Sequence, residues 1–280
     1  MMHIQERAQR FLELHRRPHV LILPNVWDAA SARIVEAEGF PALATTSAGV
    51  ANALGYRDGQ QIPLDDLLWL VRRIVRVVQV PLSVDFEAGY ADEPKQVAEN
   101  CRRLLDAGGV GINLEDGTGK PERPLVDASH HVEKIRAIRE VAAAAEIHLV
   151  INARTDVFLD AVGAPETRFD HAVNRLTQYR QAGADCLFVP GVTDLPTVAK
   201  LVQALRAPVN ILATVGSPGV AELERAGVAR VSLGSGPMRA AMGLLQKIAR
   251  EIKETGEIRT MVEHAIPYSL SNALFPSTGL

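Results

Sequence analysis

Cysteine, net charge and long apolar runs are all in short supply in this sequence. The two cysteines in 280 residues, Cys101 and Cys186, form no Cys-x-x-Cys pair and are too few for a disulfide framework. A reducing cytoplasm is therefore the expected setting. The net charge is -3, so nothing in the bulk electrostatics asks for nucleic acid. No apolar run is long enough to span a membrane, and the charged start MMHIQERAQRFLELHRRPH has no apolar core of a signal peptide.

Several catalytic signatures are missing too. No GxGxxG follows the first apolar run, which leads instead into Pro24-Asn25-Val26-Trp27-Asp28. There is no GxSxG elbow for a serine hydrolase. All six lysines fall in expected helices or loops, so none is placed at a strand end for a Schiff base. No histidine falls at an expected strand end, which argues against zinc.

What is present is a rhythm. Short β-branched runs at 20–23, 42–45, 82–85, 111–114, 149–152, 186–189, 209–212 and 230–233 predict strands. Helical patterns lie between them at 28–38, 64–78, 94–107, 128–145, 166–182, 195–205 and 220–226. EAEGF, LDAGG, RQAGAD and ERAGVAR each end a helix with Gly just before a strand, as a left-handed C-cap requires. Asp28 is the expected N-cap of the first of these helices.

Hydrophobic residues make up 47% of the chain, enough for a sizeable core. Alternating units without linkers predict one α/β domain over 1–280, a (β/α)8 TIM barrel, with an open doubly wound sheet as the alternative. After the last strand, 237–254 reads as a long helix. An apolar-containing tail over 258–280 follows, whose expected use is packing in an oligomer.

Barrel chemistry belongs at the C-terminal ends of strands. Those ends carry Thr45-Thr46-Ser47-Ala48-Gly49, Asp85-Phe86-Glu87, Glu115-Asp116-Gly117, Asn152-Ala153-Arg154-Thr155-Asp156, and Asn210 leading to Thr214. One such acid alone would read as a cap or surface group. Asp85, Glu87 and Glu115 on neighbouring strand ends would repel one another unless a cation sits among them. Hard oxygen ligands suit Mg²⁺, or Mn²⁺. Arg154 can hold an anionic group bidentately, Asn210 is a further polar candidate for the substrate, and Thr46 and Ser47 with the backbone near Gly49 can donate to a second anion. Asp116 can cap the next segment and Asp156 can pair with Arg154. Cys101 and Cys186 read as inert core residues. Gly216-Ser217-Pro218-Gly219 and Gly234-Ser235-Gly236 keep a phosphate cradle open.

These blocks resemble the isocitrate lyase/phosphoenolpyruvate mutase superfamily, from about Leu23 to Arg239. The resemblance rests on LPNVWDAASARI, TTSAG, GYRDG, VDFEAGYAD, GINLEDG, INARTD and the stretch from NILA to LERAGVARVSLG. It is closest to the small mutase-like bacterial branch. It implies a barrel whose last helix is commonly swapped between subunits of a homodimer or homotetramer. It also implies Mg²⁺ with a small 2-oxo or dicarboxylic acid. By motif, Asp85 would touch the metal, with Glu87 and Glu115 holding it through waters. Ser47 and Gly49 would hold a substrate carboxylate, and Arg154 the far anionic group. Asp58, in GYRDG, would neighbour the metal, and Lys120 is the one match to the mutase loop lysine.

Two departures stand out. Glu87 replaces the family's second Asp. The loop 117–124, GTGKPERP, lacks the Cys and His of the lyase branch and the Asn-Ser pair of the mutase branch. Its glycines and charges suit a lid; an ordinary surface loop is the other reading. The expected activity is a Mg²⁺-dependent lyase, by C–C cleavage or oxaloacetate-type decarboxylation. Phosphonopyruvate-type chemistry and a non-catalytic 2-oxo-acid-binding barrel are the alternatives.

Overall fold

A computed structural model of the chain describes residues 3–16 and 18–275. In chain order the elements are α1 (Ile4–Leu14), β1 (Leu21–Leu23), β2 (Asn25–Val26), α2 (Ala29–Ala37), β3 (Leu43–Thr45), α3 (Ser47–Ala53), α4 (Leu64–Val77), β4 (Leu82–Asp85), α5 (Pro94–Asp106) and β5 (Gly111–Glu115). They continue with α6 (Ala128–Ala144), β6 (Val150–Arg154), α7 (Arg168–Gln181), β7 (Cys186–Phe188), α8 (Leu195–Leu205), β8 (Val209–Leu212), α9 (Val220–Arg225), β9 (Arg230–Ser232), α10 (Gly236–Thr255), α11 (Arg259–His264) and α12 (Tyr268–Ala273).

All strand pairs are parallel, in the order β1-β9-β8-β7-β6-β5-β4-β3-β2. The two ends of that order, β1 and β2, are consecutive in sequence and separated by Pro24 alone. Proline has no N–H to give to a ladder, so the strand breaks there. Its carbonyl still accepts from Ala44 N at 3.0 Å. The pieces β1 and β2 thus form one stave of an eight-stave barrel, the (β/α)8 architecture expected.

The helices follow from pattern and punctuation. On α4, Leu67, Leu70, Val71, Ile74 and Val77 face inward, with Asp65 and Asp66 in the first turn and Arg76 in the last. Asp28 caps α2, accepting from Ser31 N at 2.7 Å. The expected glycine stops hold: Gly39, Gly108, Gly183 and Gly227 all have positive φ.

Four helices were not expected: α1, α3, α11 and α12. Helix α1 seals the N-terminal end of the barrel, where Phe11 is fully buried. A β-carbon at Gly111, the first residue of β5, would collide with the Phe11 ring. Helix α3 begins directly at the end of β3, and β6 runs two residues further than expected, to Arg154.

Helix α10 buries only Met238, leaving Met242, Leu245 and Ile252 exposed. Val262, Ile266, Tyr268 and Leu270 are exposed beyond it. The end of this tail meets α2, where Arg33 Nε donates to Leu274 O at 2.5 Å. The last part of the expected tail, 276–280, lies outside the described residues. Among the described residues no helix is long and apolar enough to cross a membrane.

Candidate active site

The ends of β4, β5 and β6 bring together the acids and the arginine singled out above. Asp85 closes β4. Its Oδ2 accepts from Ser47 N at 3.0 Å and its Oδ1 from Asn113 Nδ2 at 3.4 Å. The Asp85 N–H goes to Thr45 Oγ1 at 2.8 Å. Each carboxylate oxygen keeps a free lone pair.

The turn after β4 is strained. Glu87 (φ 48°) and Tyr90 (φ 57°) sit in the left-handed region with Gly89 between them. Glu87 O accepts from Glu115 N at 2.9 Å, joining the turn to the end of β5. The Tyr90 hydroxyl donates to Glu87 Oε1 at 3.0 Å. Burial, then the charge of Asp85, pushes the Glu87 carboxyl up to about 7. Burial also drives Glu115 well above the carboxylate range, opposed by Arg154 and reinforced by Asp156 and Asp85.

Arg154 is held by two acids. Nη1 meets Glu115 Oε2 at 2.7 Å. Nε and Nη2 grip Asp156 at 2.5 and 2.9 Å. Asp156 therefore pairs with Arg154 as its spacing suggested.

Asp116, one residue beyond Glu115, turns away from the mouth. It is fully buried and accepts from Arg175 Nε at 2.7 Å, Tyr179 OH at 2.6 Å and Asp156 N at 3.0 Å. Burial alone would raise its carboxyl, but Arg175 and these donors hold it below its ordinary range. Its role is a buried anchor rather than a cap. Gly117 is pressed against this assembly, since a β-carbon there would lie 2.5 Å from Asp156 Oδ2.

From Gly117 the chain forms a folded flap. Gly117 bridges Leu125, Thr118 N donates to Pro124 O at 2.9 Å, and Val126 N returns to Asp116 O at 2.9 Å. The flap lines a cleft of about 540 Å³ with Glu87, Glu115, Lys120, Arg123, His130 and Lys134 among its walls. Lys120 is thus at the cleft. Gly59 and Gln60 line it as well, and the charge of neighbouring Asp58 bears on Glu87.

Three further residues expected at the substrate lie in packed surroundings. Thr46 is the buried N-cap residue of α3. Gly49 is a packing glycine, because a β-carbon would meet Thr46 Cγ2 at 2.6 Å and Trp27 Cβ at 2.9 Å. Asn210 is fully buried inside the barrel, where it donates to Ser232 Oγ at 3.2 Å. The glycine-rich loop after β9 has spent its donors: Leu233 N and Gly234 N both point at Asn25 Oδ1, each at 2.8 Å. That weakens the phosphate cradle at this loop.

Beneath the mouth lies a polar layer that sequence reading missed. Asn113 Oδ1 accepts from Asn152 Nδ2 at 2.7 Å and from Arg230 Nη2 at 3.2 Å. Arg230 is fully buried, and burial pushes it down to about 10. Polar residues at alternate positions of apolar strands, as in GINLE and INAR, were the available signal. Cys101 and Cys186 are buried thiols pushed up to about 12 by burial, so neither is a nucleophile at neutral pH.

The donor set suits a hard cation, with oxygen ligands only and two carboxyls raised by burial among like charges. Among the described residues, however, no three acid, imidazole or thiol groups converge closely enough to hold a metal ion by themselves. Glu115 is turned to Arg154 and Glu87 to Tyr90. An ion bound at Asp85 would complete its shell with water and substrate oxygens, as magnesium commonly does.

A closed parallel barrel with its acids and arginine at the strand C-termini is the arrangement of a barrel enzyme. The sequence matches the family model described as phosphoenolpyruvate phosphomutase over residues 11–253. It is 34% identical over 255 residues to an uncharacterised protein of Mycobacterium tuberculosis strain H37Rv, covering 91% of this chain and 93% of that one. It is 29% identical over 249 residues to the 2-methylisocitrate lyase of Escherichia coli K12, covering 84% and 81%. The crystal structure of a candidate lyase/mutase from Burkholderia cenocepacia J2315 superposes with a TM-score of 0.90 at 36% identity, covering 96% and 95%. The chain belongs to the phosphoenolpyruvate phosphomutase family, and so to the isocitrate lyase/PEP mutase superfamily of lyases and mutases.

Proposed function

We propose that this enzyme is a Mg²⁺-dependent lyase acting on a small 2-oxo or 2-hydroxy carboxylic acid through an enolate-like state of the substrate. The observation that carries the reading is the gathering of Asp85, Glu87 and Glu115 beside Arg154, with Glu87 pushed up to about 7 by burial and Asp85. Such a cluster gains most from a divalent ion, and Mn²⁺ would serve in place of Mg²⁺. When bound, the ion would polarise the substrate oxygens and stabilise negative charge as it develops. Asp85 is the direct ligand in this reading, with Glu87 and Glu115 acting through water.

The chain's own groups do the rest. Arg154 orients an anionic end of the substrate once Glu115 lets go of its Nη1. Ser47 N holds Asp85 in place. The flap over 117–125 excludes water and brings Lys120 to the cleft. With both thiols buried far from this role and no Cys or His in the flap, cleavage by a thiol acid is disfavoured. Oxaloacetate-type decarboxylation, in which solvent or Lys120 returns the proton, is the simplest version. Lys120 and Arg123 on the flap also favour a second reading, phosphonopyruvate-type chemistry, since both can face a phosphoryl group.

The same reading assigns the exposed apolar face of α10 to α12 to a second copy of the chain, as a homodimer or homotetramer. The setting is the cytoplasm, where buried free thiols persist.

Proton NMR tests the reading. The enzyme is incubated with Mg²⁺ and oxaloacetate, 2,3-dimethylmalate, 2-methylisocitrate or phosphonopyruvate, each with and without EDTA. Pyruvate or another oxo acid released faster than the metal-only blank, and only with metal, is the expected result. Turnover that survives EDTA would overturn it. Turnover of phosphonopyruvate alone would select the second reading, and binding with no product would select the non-catalytic barrel.

A further inference from the structure

The turn that presents Glu87 has an unusual backbone. With Glu87, Gly89 and Tyr90 all at positive φ, its carbonyls are thrown toward side chains of the flanking helices instead of into a ladder. Lys134, on α6, donates from Nζ to Ala88 O and Ala91 O, both at 3.0 Å. Asn100, on α5, donates from Nδ2 to Gly89 O at 3.1 Å and Tyr90 O at 3.2 Å. His130, one turn before Lys134, meets Asp92 O at 2.8 Å. Five consecutive carbonyls, 88 to 92, therefore each find a side-chain partner on α5 or α6.

Lys134 is only 1% exposed, a rare state for lysine, and it pairs with carbonyl dipoles rather than with a bonded carboxylate. Its ammonium joins two carbonyl oxygens of the turn, as a bound monovalent cation would. On the other side of the same turn, Glu87 O holds Glu115 N and the Glu87 carboxylate faces the cleft. The position of Glu87 thus depends on a backbone conformation that Lys134 and Asn100 sustain.

We infer that Lys134 is a positioning residue: its ammonium, seated on Ala88 O and Ala91 O, sets the turn that aims Glu87 at the metal side of the cleft. This rests on reading Glu87 as a metal-side carboxylate. The ammonium touches neither substrate nor ion in this role. It acts through the turn, as outer groups around metal ligands do.

The test compares wild type with Lys134→Met and Lys134→Arg by Mn²⁺ affinity and by hydrogen exchange. Lys134→Met should weaken Mn²⁺ binding about ten- to a hundredfold, the usual loss when an outer partner of a ligand is removed. Deuterium uptake should rise in a peptide spanning 87–92, with the strands unchanged. Lys134→Arg, which keeps a charged donor, should recover much of both. In Lys134→Ala, ammonium or methylammonium should restore Mn²⁺ affinity, while equal sodium chloride should not; a purely packing role gives no such rescue.

Wild-type uptake at 87–92 in Lys134→Met would overturn the clamp. Raised uptake with unchanged Mn²⁺ affinity would overturn its link to Glu87. Raised uptake in a protein whose wild type binds no Mn²⁺ would refute the metal reading and leave the clamp standing. Should Lys134→Met fail to fold, Lys134→Arg decides: wild-type uptake and affinity support the seat, and losses as large as those of Lys134→Ala sink it.

Discussion

The lower end of the barrel is closed by packing, the upper end by charge. Below, Phe11 fills the floor against Gly111 and sits edge-on to His15, whose ring centroid is 4.8 Å away. Above, the same strand β5 ends in Glu115 and runs into Gly117, which is pressed against Asp156 instead of an aromatic ring. The lower end buries apolar surface around Phe11. The upper end holds carboxyls displaced from their ordinary range, the left-handed turn of Glu87 and Tyr90, and an arginine shared by two acids. Repulsion is tolerated where it serves binding, and the floor contributes the stability that tolerates it.

The largest test of this contrast is Phe11→Ala. Loss of a fully buried ring should lower stability by about 3–5 kcal/mol. Ligand affinity measured on the folded fraction should not change, and a matching loss of affinity would show that the ends are coupled. Asp85→Ala is the reverse experiment. Mn²⁺ affinity should fall at least about a hundredfold, roughly 2.7 kcal/mol, while the melting temperature stays near that of wild type. Retained affinity would remove Asp85 from the site.

A smaller effect concerns pH. His15 is held down to about 4, by burial first and then by Arg230, against an ordinary value of 6.5. Between those values the unfolded chain takes up a proton that the folded protein refuses. The neutral ring's contribution is therefore complete above pH 6.5 and drains as pH falls toward 4. Glu87 acts in the opposite sense, because its folded value of about 7 lies above its ordinary 4.5. The informative quantity is the difference: His15→Leu should lose less stability than wild type between pH 7 and pH 5 in thermal melts. Equal slopes would show that His15 is not held neutral. The smallest effect is expected from Cys101→Ser and Cys186→Ser, which should leave turnover per folded molecule unchanged. A large loss of turnover at intact stability would mean that a thiol takes part.

Periodicity and glycine punctuation located every stave of the barrel and the helices between them except α3, because those features depend on near neighbours in sequence. The acids at 85, 87 and 115 and Arg154 were legible for the same reason: they are the polar residues that end apolar runs. Helix α1 is harder to read because charged residues interrupt its short apolar face. Its spacing of Ile4, Ala8, Phe11 and Leu12 was already helical. The full burial of Asn210 depends on β7 and β9 beside it, which its neighbours in sequence do not show. Lys134, Arg175 and Arg230 lay beyond reach for a different reason. Each gains its meaning from partners 40 or more positions away, namely Ala88 and Ala91, Asp116, and Asn113. Only the closed barrel brings these pairs together.

The floor helix also has a consequence for biosynthesis. Helix α1 is made well before its seat: the glycine that receives Phe11 follows about 100 residues later, and β1 finds its partner β9 only when Arg230–Ser232 has been made. At the usual pace of roughly 5–20 residues per second, the nascent chain carries an unseated Phe11 for seconds before its socket exists.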